Sequence, residues 1–189
     1  MMRTWLTLPP ESTSSPTSPH LILVGLPGAG KSTLGRRVAQ RLGRSFVDFD
    51  AEIERREGMT VAQIFATYGE PYFRRRELEL TQELAEQGGM VLAPGGGWIM
   101  IPGALALLRP PGRMIYLRVR PEVAIRRLER ARHVRPLLQV PEPLAELRRL
   151  LGERESAYQL ADLVLDTDLL DTRELIRTIV RLASASGRD

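Results

Sequence analysis

Two rhythms of apolar and polar positions alternate along the chain. "HLILVG" is a short, unbroken apolar run, and it predicts a buried strand over His20 to Val24. "KSTLGRRVAQRL" switches to helical spacing at Leu34, Val38 and Leu42 and stops at Gly43. "SFVDFD" predicts a second strand whose end carries Asp48 and Asp50. "AEIERRE" and "TVAQIFATYG" predict helices, the latter opened by a Thr60/Gln63 capping box, and a long helix follows from Pro71 to Gln87. "MVLA" is a third strand, broken by "PGGG", and Pro102 opens the short helix "PGALALL". "RMIYLRV" is a fourth strand, and "PEVAIRRLER" a helix with Pro121 at its first position. "ARHVRPLLQVPEP" carries three prolines and no periodicity, so a mobile lid is expected over about 131–143. A helix from about Leu144 to Leu160, the strand "LVLD" and a helix from Asp171 to about Ala183 finish the pattern.

Strands alternating with helices predict an α/β fold: a five-stranded parallel sheet with helices on both faces, a three-layer sandwich. Residues 1–19 are rich in Ser, Thr and Pro and read as a disordered tail, leaving one domain over 20–189.

Composition narrows the class. The 189 residues suit a single domain, with 43% hydrophobic and 26% charged positions. No apolar run reaches the roughly 18 to 20 residues that span a bilayer, and the N-terminus lacks the apolar centre of a secretory signal. Cysteine is absent, which excludes disulfides and thiolate chemistry, so a cytoplasmic protein is expected. The net charge of +4 raises nucleic acid as a partner. Most arginines, however, sit beside Glu on helical stretches, and aromatics make up only 5%, so neither nucleic acid nor membrane is expected as a partner. No heptad or repeat suggests assembly, and a monomer is expected.

The chemistry starts at "GLPGAGKST", Gly25 to Thr33, which matches G-x-x-x-x-G-K-[ST] between a strand and a helix. Glycines in such a loop turn successive N–H groups inward onto phosphate oxygens, and the helix N-terminus adds partial positive charge. Gly28, Ala29, Gly30, Lys31, Ser32 and Thr33 are the nucleotide-binding candidates, with Lys31 on the β and γ phosphates and Ser32 on magnesium. Among 27 cationic residues Lys31 is the single lysine. A compact ammonium on a slim stem can lie along the loop, where a planar guanidinium would crowd it.

The chain contains no Asn, so the guanine-reading Asn-Lys-x-Asp signature and the protein-kinase catalytic Asn are both impossible. The motif alone does not separate an ATPase motor from a small-molecule kinase; a small kinase needs an acceptor site beside the P-loop. Three features could build one. Asp48 and Asp50 close the second strand, one a candidate for the metal and the other for the acceptor. "YFRRRE" puts Arg74 near the start of a long helix, and Gly95, Gly96 and Gly97 let backbone approach a ligand closely.

In this order and spacing, "GLPGAGKST", "DFD", "FRRRE", "GGG", "RPLL" at Arg135 to Leu138 and "RESAY" at Arg154 to Tyr158 resemble the shikimate kinase family from about His20 to Ala183. The resemblance implies transfer of the γ-phosphoryl of ATP to the 3-hydroxyl of shikimate, a step towards chorismate and the aromatic amino acids. It implies that Asp50 holds and orients the ring hydroxyls, that Arg74 and Arg154 clamp the carboxylate, and that the Gly95–Gly97 backbone meets the substrate. Asp48 would support magnesium through water, Arg135 would swing in with the lid, and Arg127 or Arg130 would stack on adenine. Within the same fold the alternative is a kinase for gluconate or a nucleoside monophosphate. Pro94 and Trp98, flanking the glycines, depart from the family's usual pattern.

Overall fold

Five strands, Leu21–Val24 (β1), Phe46–Asp48 (β2), Val91–Ala93 (β3), Arg113–Arg118 (β4) and Leu163–Asp166 (β5), form one all-parallel sheet in the order β2-β3-β1-β4-β5. The computed structural model describes residues 18–130 and 140–185. Along β1 successive side chains serve opposite faces, as the period of two requires. Leu21 and Leu23 join a cluster with Leu34, Val38, Ile115, Leu147 and Ile179. Ile22 and Val24 face Phe49, Ile53, Phe73, Leu80, Trp98 and Tyr158. Both faces are covered, so the central strands read as unbroken apolar runs.

The first face is covered by Lys31–Leu42 (α1), Thr172–Ala185 (α7) and parts of Pro121–Glu129 (α5) and Pro143–Tyr158 (α6); Phe49–Glu57 (α2), Val61–Ala85 (α3) and Ala104–Leu108 (α4) cover the other. Gly43 ends α1 in the left-handed conformation, Thr60 and Gln63 form the reciprocal capping box, and Pro121 opens α5. The two helices expected around Pro71 run on as α3, broken by a kink at Gly69 (φ 78°, ψ 171°). None of the described helices is long and apolar enough to cross a membrane.

Three expectations shift. Pro102 does not open α4, which starts at Ala104 with Gly103 as its N-cap. Asp50 does not lie on β2: the strand ends at Asp48, which caps α2 by accepting from the Ala51 N–H at 3.4 Å, and Asp50 sits in that helix's first turn. A carboxylate directly ahead of a helical run captures the helix start, so capping ends the strand before Asp50. His20 precedes β1, buried, its Nε2 3.0 Å from the Leu84 carbonyl. The Ser18 and Pro19 carbonyls accept from the Gly89 N–H (2.7 Å) and the Arg44 guanidinium (3.1 Å). Residues 1–17 and most of the expected lid, including Arg135, lie outside the described residues.

β1 is the switch point: the chain leaves it towards β2 and β3 on one side, then crosses to β4 and β5 on the other. Loops at the carboxyl ends of β1 and β3 therefore meet in a crevice, where ligands of open α/β sheets bind.

Candidate active site

The loop after β1 is held by close backbone approach. A Cβ on Gly25 (φ +142°) would lie 2.5 Å from the Leu117 carbonyl oxygen, and one on Gly28 (φ +82°) 2.7 Å from that of Ala124. Glycine is required at both positions for space as well as for φ. The turn delivers the chain to α1 through Gly30 (φ 92°, ψ 15°), with no side-chain cap and no acidic residue in the first helical turn. By contrast, α2 is capped by Asp48 and carries Asp50 and Glu52 in its first turn. The start of α1 thus presents N–H donors and the positive end of a helix dipole to whatever anion enters. Lys31 lies along the same loop, its Nζ donating to the carbonyls of Gly25 (2.8 Å) and Leu26 (3.1 Å).

Arg127 borders this nest. Its guanidinium donates to Thr167 Oγ1 (2.9 Å) and to the Thr167 carbonyl (2.7 Å), and reaches the Gly28 carbonyl at 3.4 Å. Arg130, the other adenine candidate, caps the end of α5 and is exposed.

The acceptor side is built from side chains brought together by the glycines after β3. A Cβ on Gly95 would lie 2.5 Å from Glu77 Oε1 and 3.1 Å from Asp50 Oδ1. One on Gly96 would lie 3.2 Å from Arg154 Nη1 and 3.5 Å from the Gly25 carbonyl oxygen, and one on Gly97 2.3 Å from Arg74 Nη2. Asp50, Arg74 and Arg154, from α2, α3 and α6, therefore converge on one three-residue loop, which itself touches the phosphate loop. Any Cβ there would occupy space that these groups hold.

The two arginines differ. Arg74 donates from Nε (3.0 Å) and Nη2 (2.7 Å) to Glu70 and from Nη1 to Glu77, an ion pair with a fully buried carboxylate. Arg154 is 6% exposed, and its Nη1 is buried without a hydrogen-bond partner among the described residues. Such a donor is costly unless a ligand acceptor meets it. Burial pushes the Glu77 carboxyl up to about 7, against the pull of the Arg74 guanidinium and with a further push from the Asp50 charge. The Gly95 backbone, against which its Oε1 lies, favours the ionised form in turn.

Glu77 and Tyr158 stand within "FRRRE" and "RESAY", where the motifs alone assign neither a role. Helical spacing was the available signal: Glu77 is three residues from Arg74 and Tyr158 four from Arg154, so each shares its partner's face. Trp98 is a core residue, its indole N–H donating to Thr81 Oγ1 at 2.8 Å.

For magnesium, the donor set is a hydroxyl at Ser32 and a carboxylate at Asp48, and no group of three or more His, Asp or Glu capable of holding a metal ion occurs among the described residues. Magnesium takes few protein ligands and completes its shell with waters and phosphate oxygens, so these residues fit an ion that arrives with the nucleotide.

An uncapped, lysine-bearing nest for phosphates, beside a glycine loop on which two guanidiniums and a carboxylate converge, is the arrangement of a P-loop phosphotransferase acting on a small molecule. The shikimate kinase family model matches residues 27–184, and the chain belongs to that family. It is 42% identical over 171 residues to the shikimate kinase of Thioalkalivibrio sulfidiphilus, covering 90% of each chain. It is 44% identical over 162 residues to that of Pseudomonas paraeruginosa, covering 85% of this chain and 94% of the relative. The solved shikimate kinase of Acinetobacter baumannii in complex with shikimate superposes with a TM-score of 0.84 at 39% identity, over 92% of this chain and 97% of that one. A deoxyadenosine kinase from M. mycoides (TM-score 0.62, 16% identity) shares the fold alone.

Proposed function

We propose that this kinase transfers the γ-phosphoryl group of ATP to the 3-hydroxyl of shikimate, giving 3-phosphoshikimate and ADP. The observation that carries the reading is the convergence of Asp50, Arg74 and Arg154 on Gly95–Gly97, 3.5 Å or less from that loop's Cβ positions and beside the Gly25 carbonyl. Shikimate is a small monoanion with three hydroxyls. Guanidinium forks suit its carboxylate, and a carboxylate accepts hydrogen bonds from neighbouring hydroxyls.

Each residue then has a task. The Gly28–Thr33 backbone and Lys31 hold the phosphates, and Lys31 leaves the Gly25 and Leu26 carbonyls to follow the γ-phosphoryl. Asp50 orients the attacking hydroxyl and takes its proton. Arg154 grips the substrate carboxylate with the donor it has to spare. Three of Arg74's five N–H groups are committed to Glu70 and Glu77, which aim the rest. Ser32 and Asp48 would hold magnesium, which would supply charge neutralisation on the phosphates. Arg127 is the adenine-stacking residue in this reading, and Arg135, which lies outside the described residues, is assigned to the phosphates on the family resemblance alone. The protein works as a cytoplasmic monomer.

The test is ADP release, measured by a coupled assay with ATP and magnesium against a panel of acceptors. Release is expected with shikimate and not with gluconate or a nucleoside monophosphate. Equal turnover on either of those would overturn the assignment.

A further inference from the structure

Three consecutive glycines form the wall shared by the phosphate nest and the acceptor pocket, and glycine backbone is the least self-ordering segment a chain can offer. Something must hold each peptide. The Gly95 carbonyl accepts from the Trp98 N–H at 3.0 Å and the Gly97 carbonyl from the Met100 N–H at 3.1 Å, both within the turn itself. The Gly96 carbonyl, between them, accepts from a side chain that arrives from the far end of the sequence: the Tyr158 hydroxyl, at 2.8 Å.

Tyr158 is built to hold that position. It is 0% exposed, and its ring stacks on Tyr116 with centroids 4.9 Å apart and planes at 24°. The Tyr116 hydroxyl turns elsewhere and donates to Glu155 Oε2 at 2.7 Å. Arg154 lies one helical turn before Tyr158 and reaches the same glycine. Burial, only partly offset by Arg154, pushes the Tyr158 phenol up to about 12, so it stays a donor at any working pH.

We infer that the Tyr158 hydroxyl is a positioning group for acceptor binding, fixing the Gly96 peptide so that the glycine loop and the Arg154 guanidinium keep one geometry towards the substrate. The inference rests on the reading of this pocket as the shikimate site. The hydroxyl touches no reacting atom. It acts through Gly96, and its effect belongs in the acceptor KM rather than in phosphoryl transfer or ATP binding.

The stacked pair supplies its own control, because Tyr158→Phe and Tyr116→Phe each remove one hydroxyl from the same buried ring stack, and only one of those hydroxyls touches the loop. In steady-state assays Tyr158→Phe should raise KM for shikimate about 3- to 10-fold, the worth of one hydrogen bond, with KM for ATP moving less than about twofold. Tyr116→Phe should leave KM for shikimate within about twofold. Placing 4-aminophenylalanine at position 158, which restores an N–H donor on the same ring, should recover most of the loss and guards against a variant that merely folds poorly. An unchanged KM for shikimate in Tyr158→Phe, or equal rises in the two Phe variants, would overturn the inference. A wild-type enzyme inactive on shikimate would sink the site reading as well, whereas an active wild type with an indifferent Tyr158→Phe would sink the positioning role alone.

Discussion

The two halves of the site are made of different materials. The phosphate end is backbone: glycines locked against the Leu117 and Ala124 carbonyls, a helix start without cap or acid, and a lysine resting on its own loop. The acceptor end is side chain, drawn from α2, α3 and α6 and already engaged in charge pairs, with Arg74 between Glu70 and Glu77. A nest of N–H groups waits for charge to be supplied. A pocket of paired charges is set in advance and leaves open the donor its ligand must meet, here Arg154 Nη1. Binding specificity should therefore reside in the second half and electrostatic rate enhancement in the first.

Substitutions in the two halves should separate accordingly. Lys31→Ala removes the side-chain charge of the phosphate end and should lower kcat by about 10² to 10³, in line with loss of one preorganised donor, while shikimate affinity measured by calorimetry holds. A matched loss of shikimate affinity would break the division. Arg154→Ala should weaken shikimate binding by about 2 kcal/mol or more, roughly 30-fold, with ATP affinity intact. Arg74→Ala should weaken it too, but it also strands the buried Glu77, so thermal stability should fall with it, which Arg154→Ala should not match.

A smaller effect probes the pairing itself. Glu77 holds its proton more tightly folded, at about 7, than at its ordinary value of 4.5. A carboxyl raised in this way contributes stability that is complete below about 4.5 and is lost as pH climbs through about 7. Between about pH 5 and 8, wild-type Tm should fall more steeply than that of Glu77→Gln. Parallel Tm profiles would mean that Arg74 holds Glu77 ionised throughout.

The contrast also explains what could be read from sequence. A site made of backbone must be contiguous, so Gly25 to Thr33 stated both its place and its chemistry. Helix ends with local chemistry, such as the Thr60/Gln63 box, Gly43 and Pro121, were equally plain. Asp50 was misplaced onto a strand because "VDFD" fits strand alternation, while the competing cap by Asp48 depends on where the helix begins. The convergence of residues 50, 74 and 154 is a property of the sheet order, and no local pattern carries it; the family resemblance supplied it instead. Tyr158 escaped notice because its partner is a carbonyl 62 residues away.

If guanidiniums beside the glycine loop read the acceptor's carboxylate, titration calorimetry of shikimate against its methyl ester will show it. Wild-type protein should bind the neutral ester at least about 30-fold more weakly than the acid, and Arg154→Ala should bind the two nearly alike. An ester that binds wild type as tightly as the acid does would contradict the claim.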